Sequence, residues 1–159
     1  MRNSTLIFLV LKEGGKIRDI CLAMKKRGFG KWRYNGVGGK AQDGESIEDA
    51  VRREAEEEIG VVVGDITKHA ELSFTFPHES SFDQLVHVYI TEEWEGEPKK
   101  IEEMNPLWLS ISYIPYSEMW PDDIFWLPQV LNGEKLRGRF VFGPEDMVKE
   151  HEVSVVEDF

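Results

Sequence analysis

The sequence predicts a mixed α+β or α/β sandwich, on three observations. The stretch Ile47–Ile59 carries apolar residues at helical spacing, strand-patterned segments stand on both sides of it, and a short second helical segment comes late. No internal repeat, low-complexity run or Pro/Ser-rich linker interrupts the chain, so its 159 residues read as one domain, 1–159. That length is enough for a hydrophobic core.

Taken in order, Thr5–Lys12 and Asp19–Lys26 read as strands joined at Glu13–Lys16, where Gly14-Gly15 supplies the bend. The apolar run Leu6–Leu11 is too short to span a bilayer, and no small-residue cleavage site follows it. Gly28, Gly30, Gly36, Gly38 and Gly39 make a glycine-dense loop, and Asp43-Gly44 a turn. Ser46 then fits a helix N-cap, with Asp49 three residues on as an acidic variant of the capping box. Ile47, Ala50, Val51 and Ile59, with Ala55, form the core face, and Gly60 stops the helix. Val61–Val63, Ala70–Phe76, Gln84–Thr91 and Pro106–Ser112 read as strands, Gln84–Thr91 by its alternation. Pro121–Val130 reads as a short helix, and Arg137–Phe142 and Val153–Val156 as late strands.

Hydrophobic residues at 41% and charged residues at 31% are ordinary for a soluble globular protein. A net charge of −11 argues against a nucleic-acid polymer or an anionic membrane as partner, since both reward basic patches. The same surface repels a polyphosphate unless divalent cations intervene. The single cysteine, Cys21, cannot form an internal disulfide, which makes a reducing cytoplasm the default, and its apolar neighbours Ile20–Met24 suggest a buried structural thiol. The four histidines, His69, His78, His87 and His151, are scattered, form no metal-ligand pair and read as structural or surface residues.

Chemistry concentrates on the helix. Glu54, Glu57 and Glu58 stand at i, i+3 and i+4, within about 5–6 Å of one another on one face. Such like charges either form a solvated face, with Arg52 and Arg53 as partners, or hold a hard cation with oxygen ligands. Their surroundings favour the cation. Gly39, Glu45 and the run Arg53-Glu54-Ala55-Glu56-Glu57-Glu58-Ile59-Gly60-Val61 are spaced as in the Nudix box, so the segment 39–61 resembles that of the Nudix hydrolases. The stretches Met24–Lys40, Gly44–Glu54 and Met119–Trp126 extend the likeness to the animal MutT homologues within that family. The resemblance implies an α/β/α sandwich around a mixed β-sheet.

It also implies roles. Glu54, Glu57 and Glu58 would bind Mg²⁺ (Mn²⁺ an alternative), one of them acting as general base, while Arg53 orients them by an ion pair. Gly38 and Gly39 would let backbone approach metal and phosphate closely, with Gly39 counted at the metal. Glu103 corresponds to a further metal carboxylate, and Lys40 to a phosphate contact or a solvated lysine. Glu45 is either a helix-start residue or the partner of Arg53, with the structural role preferred. An indole can stack on a purine and adjacent carboxyls can bond its edge, so Trp120, Asp122 and Asp123 would read the base, one acid protonated by its neighbour's charge. Asn35 offers donor and acceptor as a third reader. Phe29 and Phe74 would line the pocket, Lys25 its rim, and Trp126 would pack behind it. Tyr34 and the loop Pro77–Asp83 depart from the family branch and bear on pocket shape.

The expected reaction is attack of water on phosphorus of an oxidised purine nucleoside triphosphate, such as 8-oxo-dGTP or 2-hydroxy-dATP, giving monophosphate and pyrophosphate. Alternatives are another diphosphate-linked nucleotide (ordinary dNTPs, methylated purine nucleotides, dinucleoside polyphosphates, ADP-ribose) or a non-catalytic module. The intact glutamates weigh against the last. The expected partner is a small nucleotide, and the expected state a monomer.

Overall fold

The computed structural model describes residues 1–159. Its elements are β1 (Arg2–Glu13), β2 (Lys16–Lys25), β3 (Tyr34–Asn35), α1 (Ile47–Ile59), β4 (Val62–Val63), β5 (Thr67–Thr75), β6 (Gln84–Thr91), β7 (Trp94–Glu95), β8 (Met104–Ser110), α2 (Leu127–Leu131), β9 (Lys135–Phe142) and β10 (Val148–Val156). One sheet runs β10-β9-β5-β6-β1-β2-β3, with β8 also paired to β2, and β4 and β7 form a separate ribbon. β1 with β6 and β5 with β9 are parallel and the remaining pairs antiparallel, so the sheet is mixed as expected. No helix is long and apolar enough to cross a membrane.

Local chemistry explains the hairpin and the main helix. Gly14 and Gly15 take φ of 61° and 79°, the positive pair that a two-residue turn needs between Glu13 and Lys16. At the start of α1, Ser46 Oγ accepts the Asp49 N–H at 3.1 Å, and Gly60 ends the helix at φ 71°. Ser46→Ala should therefore cost about 1 kcal/mol in urea unfolding while leaving turnover unchanged.

The sheet separates two cores. From β1, Phe8 and Val10 pack with Trp126, Leu127 and Val130 around α2, whereas Ile7 and Leu9 pack with Val51, Ala55 and Ile59 of α1. The helices thus lie on opposite faces, which is the predicted sandwich.

The differences are local. The expected helix Pro121–Val130 is broken into a 3-10 turn, Asp123–Phe125, and α2, because Trp126 leaves helical geometry at φ −135°. Pro128 explains the restart: without an N–H it suits the first turn of a helix and not the interior. β10 begins at Val148, five residues before the expected Val153, and β5 at Thr67 instead of Ala70. Edge pairing with β9 extends β10 where the sequence offers no alternating apolar residues. β3 and β7, at two residues each, are too short to show a period.

One irregularity builds the site. β1 pairs β2 only over Val10–Glu13, and beyond that the segment 34–40 wedges between them. Its first part pairs with Ala23 and Met24 of β2, while the Ile7 N–H donates to Val37 O at 2.7 Å and the Thr5 N–H to Gly39 O at 2.8 Å.

Candidate active site

The wedge opens onto a cleft of about 210 Å³. Lys25, Asn35, Gly38, Gly39, Lys40 and Glu58 line one part of it. Phe29, Phe74, Trp120, Asp122, Asp123 and Trp126 line the rest. Residues far apart in sequence therefore meet around one space.

At the helix end, Glu58 accepts the Gly38 N–H at 3.3 Å. Burial, followed by the charge of Glu54, pushes its carboxyl up to about 8, against the pull of the Gly38 N–H and Lys25. Glu54 is packed under Gly39: a Cβ there would lie 2.6 Å from Glu54 Oε1. Arg53 binds this end together. Its Nε and Nη2 donate to Glu45 at 2.7 and 3.0 Å, its Nη1 to Glu54 at 2.9 Å and Glu57 at 3.1 Å, and Nη2 also to the Lys40 carbonyl at 3.1 Å. Glu45 is thus the Arg53 partner, and that bond holds its carboxyl down at about 2.

Two of the acids expected at the metal are held by arginines. Glu57 is exposed and turned to Arg53, and Glu103 is exposed and paired with Arg27 at 3.7 Å. No three acidic side chains converge. Like charges repel, and each of the outer two takes the nearer guanidinium. Gly39 is also partly committed, since its carbonyl accepts the Thr5 N–H. Gly38 also has a packing reason. A Cβ there would sit 1.7 Å from the Thr5 carbonyl oxygen, so close backbone packing on β1 requires the glycine.

At the other end, Asp122 and Asp123 are 1% and 2% exposed. Trp126 Nε1 donates to Asp122 Oδ2 at 2.7 Å, so Trp126 orients a cleft acid as well as packing behind it. Asp122 Oδ1 and Asp123 Oδ2 have no protein partner. Burial raises both carboxyls, and the Asp122 charge raises Asp123 well above the usual range. A carboxyl so placed accepts when ionised and donates when protonated. Asn35 Oδ1 accepts the Gly36 N–H at 2.8 Å, which leaves its amide nitrogen uncommitted. Phe29 lies 4.9 Å from Trp120 and is stacked at 4.4 Å by Phe82. The divergent loop therefore reaches the pocket wall, as its position suggested.

Arg2, Arg33, Phe76, Gln84, Met104 and Phe142 also line the cleft without having been picked out from the sequence. Arg33 had one available signal, its two-residue spacing from Asn35 on extended backbone. Phe142 had none, because the parallel pairing of β9 with β5 joins segments distant in sequence.

The fold and the site together define a family. Residues 1–130 match the NUDIX domain, and the chain belongs to that family. It is 43% identical over 159 residues to the oxidized purine nucleoside triphosphate hydrolase of Danio rerio, covering 99% of each chain. It is 39% identical to the protein of the same name from Mus musculus, covering 100% of both. The MutT protein of Bacillus halodurans matches in structure with a TM-score of 0.82 over 97% of this chain and 98% of that one; at 22% identity the likeness is one of fold.

Proposed function

We propose that this chain hydrolyses oxidised purine nucleoside triphosphates, such as 8-oxo-dGTP and 2-hydroxy-dATP, to monophosphate and pyrophosphate with a divalent cation. The observation that carries this reading is one cleft with a raised carboxylate beside Glu54 and a buried, half-satisfied acid pair beside Trp120. The names of the full-length relatives support it. The same reading makes the chain a one-domain cytoplasmic monomer.

The helix end fits a cation by its chemistry. Two carboxylates crowd there, Glu58 near 8, against a glycine whose Cβ would fill the cradle. Glu54 and Glu58 would hold Mg²⁺ or Mn²⁺, with Glu57 one turn away. When bound, such an ion neutralises phosphate charge and acidifies the attacking water. The protein does the rest. Glu58 accepts the proton of the water, Arg53 fixes Glu54 and Glu57, and Lys25 and Lys40 offer charge to the phosphates. Trp120 stacks on the base while Asn35, Asp122 and Asp123 bond its edge.

A nucleotide panel assayed with Mg²⁺ and with EDTA tests the reading. Activity should vanish in EDTA, and kcat/KM should favour 8-oxo-dGTP over dGTP; equal values would sink the oxidised-purine claim. Asp122→Asn keeps an acceptor for Trp126 but fixes the other atom as a donor. It should lower kcat/KM for 8-oxo-dGTP by roughly 10- to 100-fold, the cost of one mismatched buried bond, and affect dGTP less. Equal losses on both nucleotides would contradict a base-reading role.

A further inference from the structure

Arg33 enters the cleft just before β3. Its guanidinium carbon lies over the Trp120 ring, 4.1 Å from the centroid. Nη1 donates to Asp146 Oδ2 at 3.0 Å, with side chains 26% and 33% exposed. Asp146 itself is held at φ 59°, after Glu145 at φ 61°, in the left-handed region that favours glycine. This anchoring turn lies past residue 130, where the NUDIX match ends.

We propose that Arg33 is a positioning residue for base recognition: clamped by Asp146, it lies over Trp120 and holds that ring in the cleft wall, and it sets a fixed positive charge beside the Asp122–Asp123 pair. The inference rests on that pair being the base reader. A planar guanidinium suits the role because it stacks on an indole and bonds a carboxylate at the same time. Its charge matters because Trp126 and Tyr116, which also act on or feel the pair, are neutral. Trp126 donates to Asp122, and Tyr116 faces Asp123 with its hydroxyl neutral and raised. Among the cleft's cations, which include Arg2, Lys25 and Lys40, Arg33 is the one whose charge opposes the effect of burial on both acids. A cation favours the ionised form of a carboxyl, so Arg33 works against the full protonation of the pair that burial favours.

Two kinds of variant separate charge from stacking. Arg33→Gln removes the charge, with Arg33→Met as a second neutral variant that keeps the apolar stem; Arg33→Lys keeps the charge and loses the plane. Carboxyl ¹³C NMR titration of the free protein should show the apparent pKa of the Asp122–Asp123 pair rising in Arg33→Gln and Arg33→Met. It should return towards wild type in Arg33→Lys. KM should rise roughly 3- to 30-fold in all three, because the indole is no longer held. Asp146→Asn should raise KM while leaving the titration close to wild type. Superimposable titrations of wild type and a folded neutral variant overturn the charge role, and an unchanged KM in Asp146→Asn overturns the clamp. A wild type that does not prefer 8-oxo-dGTP over dGTP overturns the substrate reading instead, and the carboxyl titration still decides the role of Arg33.

Discussion

Replacing Glu58 with glutamine is expected to lower kcat by roughly 10²–10⁴-fold, the usual contribution of a positioned general base, with the far-ultraviolet circular dichroism unchanged. Glutamine keeps an oxygen for the Gly38 N–H, so the loop stays in place. What it removes is a group that takes up a proton near neutral pH: the Glu58 carboxyl stands near 8 against an ordinary 4.5. The same substitution has a signature in stability. The folded chain binds that proton more tightly than the unfolded chain does. The stability this contributes is complete below about pH 4.5 and is lost as pH rises towards 8. In EDTA, wild-type Tm should therefore fall over that window more than the Tm of Glu58→Gln. Near-normal turnover in the variant would move the base to Glu54 or Glu57, and parallel Tm curves would deny the raised carboxyl.

Gly38→Ala carries the largest expected structural effect. Its methyl would lie 1.7 Å from the Thr5 carbonyl oxygen and 2.5 Å from the carbonyl carbon. Both are backbone atoms in the middle of the sheet, so no side chain can rotate away. β1 and the wedge must part, which strains the Thr5–Gly39 bond and pulls Gly38 from Glu58. The expected loss is about 1–3 kcal/mol in urea unfolding. A displacement of the loop by an ångström should also cost about 10²-fold in kcat. Gly39→Ala differs, because its methyl meets the carboxylate end of Glu54, which can move. That variant should keep most of its stability and lose activity. Equal stability of Gly38→Ala and wild type would mean that the wedge does not pack on β1 as described.

The two glycines show where sequence reading stopped. Glycine at both positions signalled close approach, and the likeness to Nudix hydrolases assigned that approach to metal and phosphate. The nearest neighbours in the fold are the Thr5 carbonyl and Glu54, contacts 33 or fewer positions away along the chain but set by a sheet irregularity with no local signature. Glu57 is similar. Helical period places it beside Glu54 and Glu58, yet a bond to Arg53 turns it outward. The late helix failed for a nearer reason, since Trp126 is drawn into the core by Asp122 and Pro128 begins the next turn.

What the sequence determined by itself was everything written in short-range terms. Ser46 and Gly60 bound α1, Gly14-Gly15 closes the first hairpin, alternation marks β6, and the spacing from Gly39 to Val61 marks the box. Each depends on residues a few positions apart, whose backbone preferences and side-chain bonds act before any core forms. Tertiary structure alone decided that the box and Trp120–Asp123 share one cleft, that Arg33 lies on Trp120, and that β9 and its following turn supply Phe142 and Asp146. Those placements follow from parallel pairings and from a sheet that separates two cores. Desolvation between packed layers raises the carboxyl of Glu58, which no linear pattern encodes, and supplies the burial behind the raised acid that the family likeness implied at Asp122–Asp123.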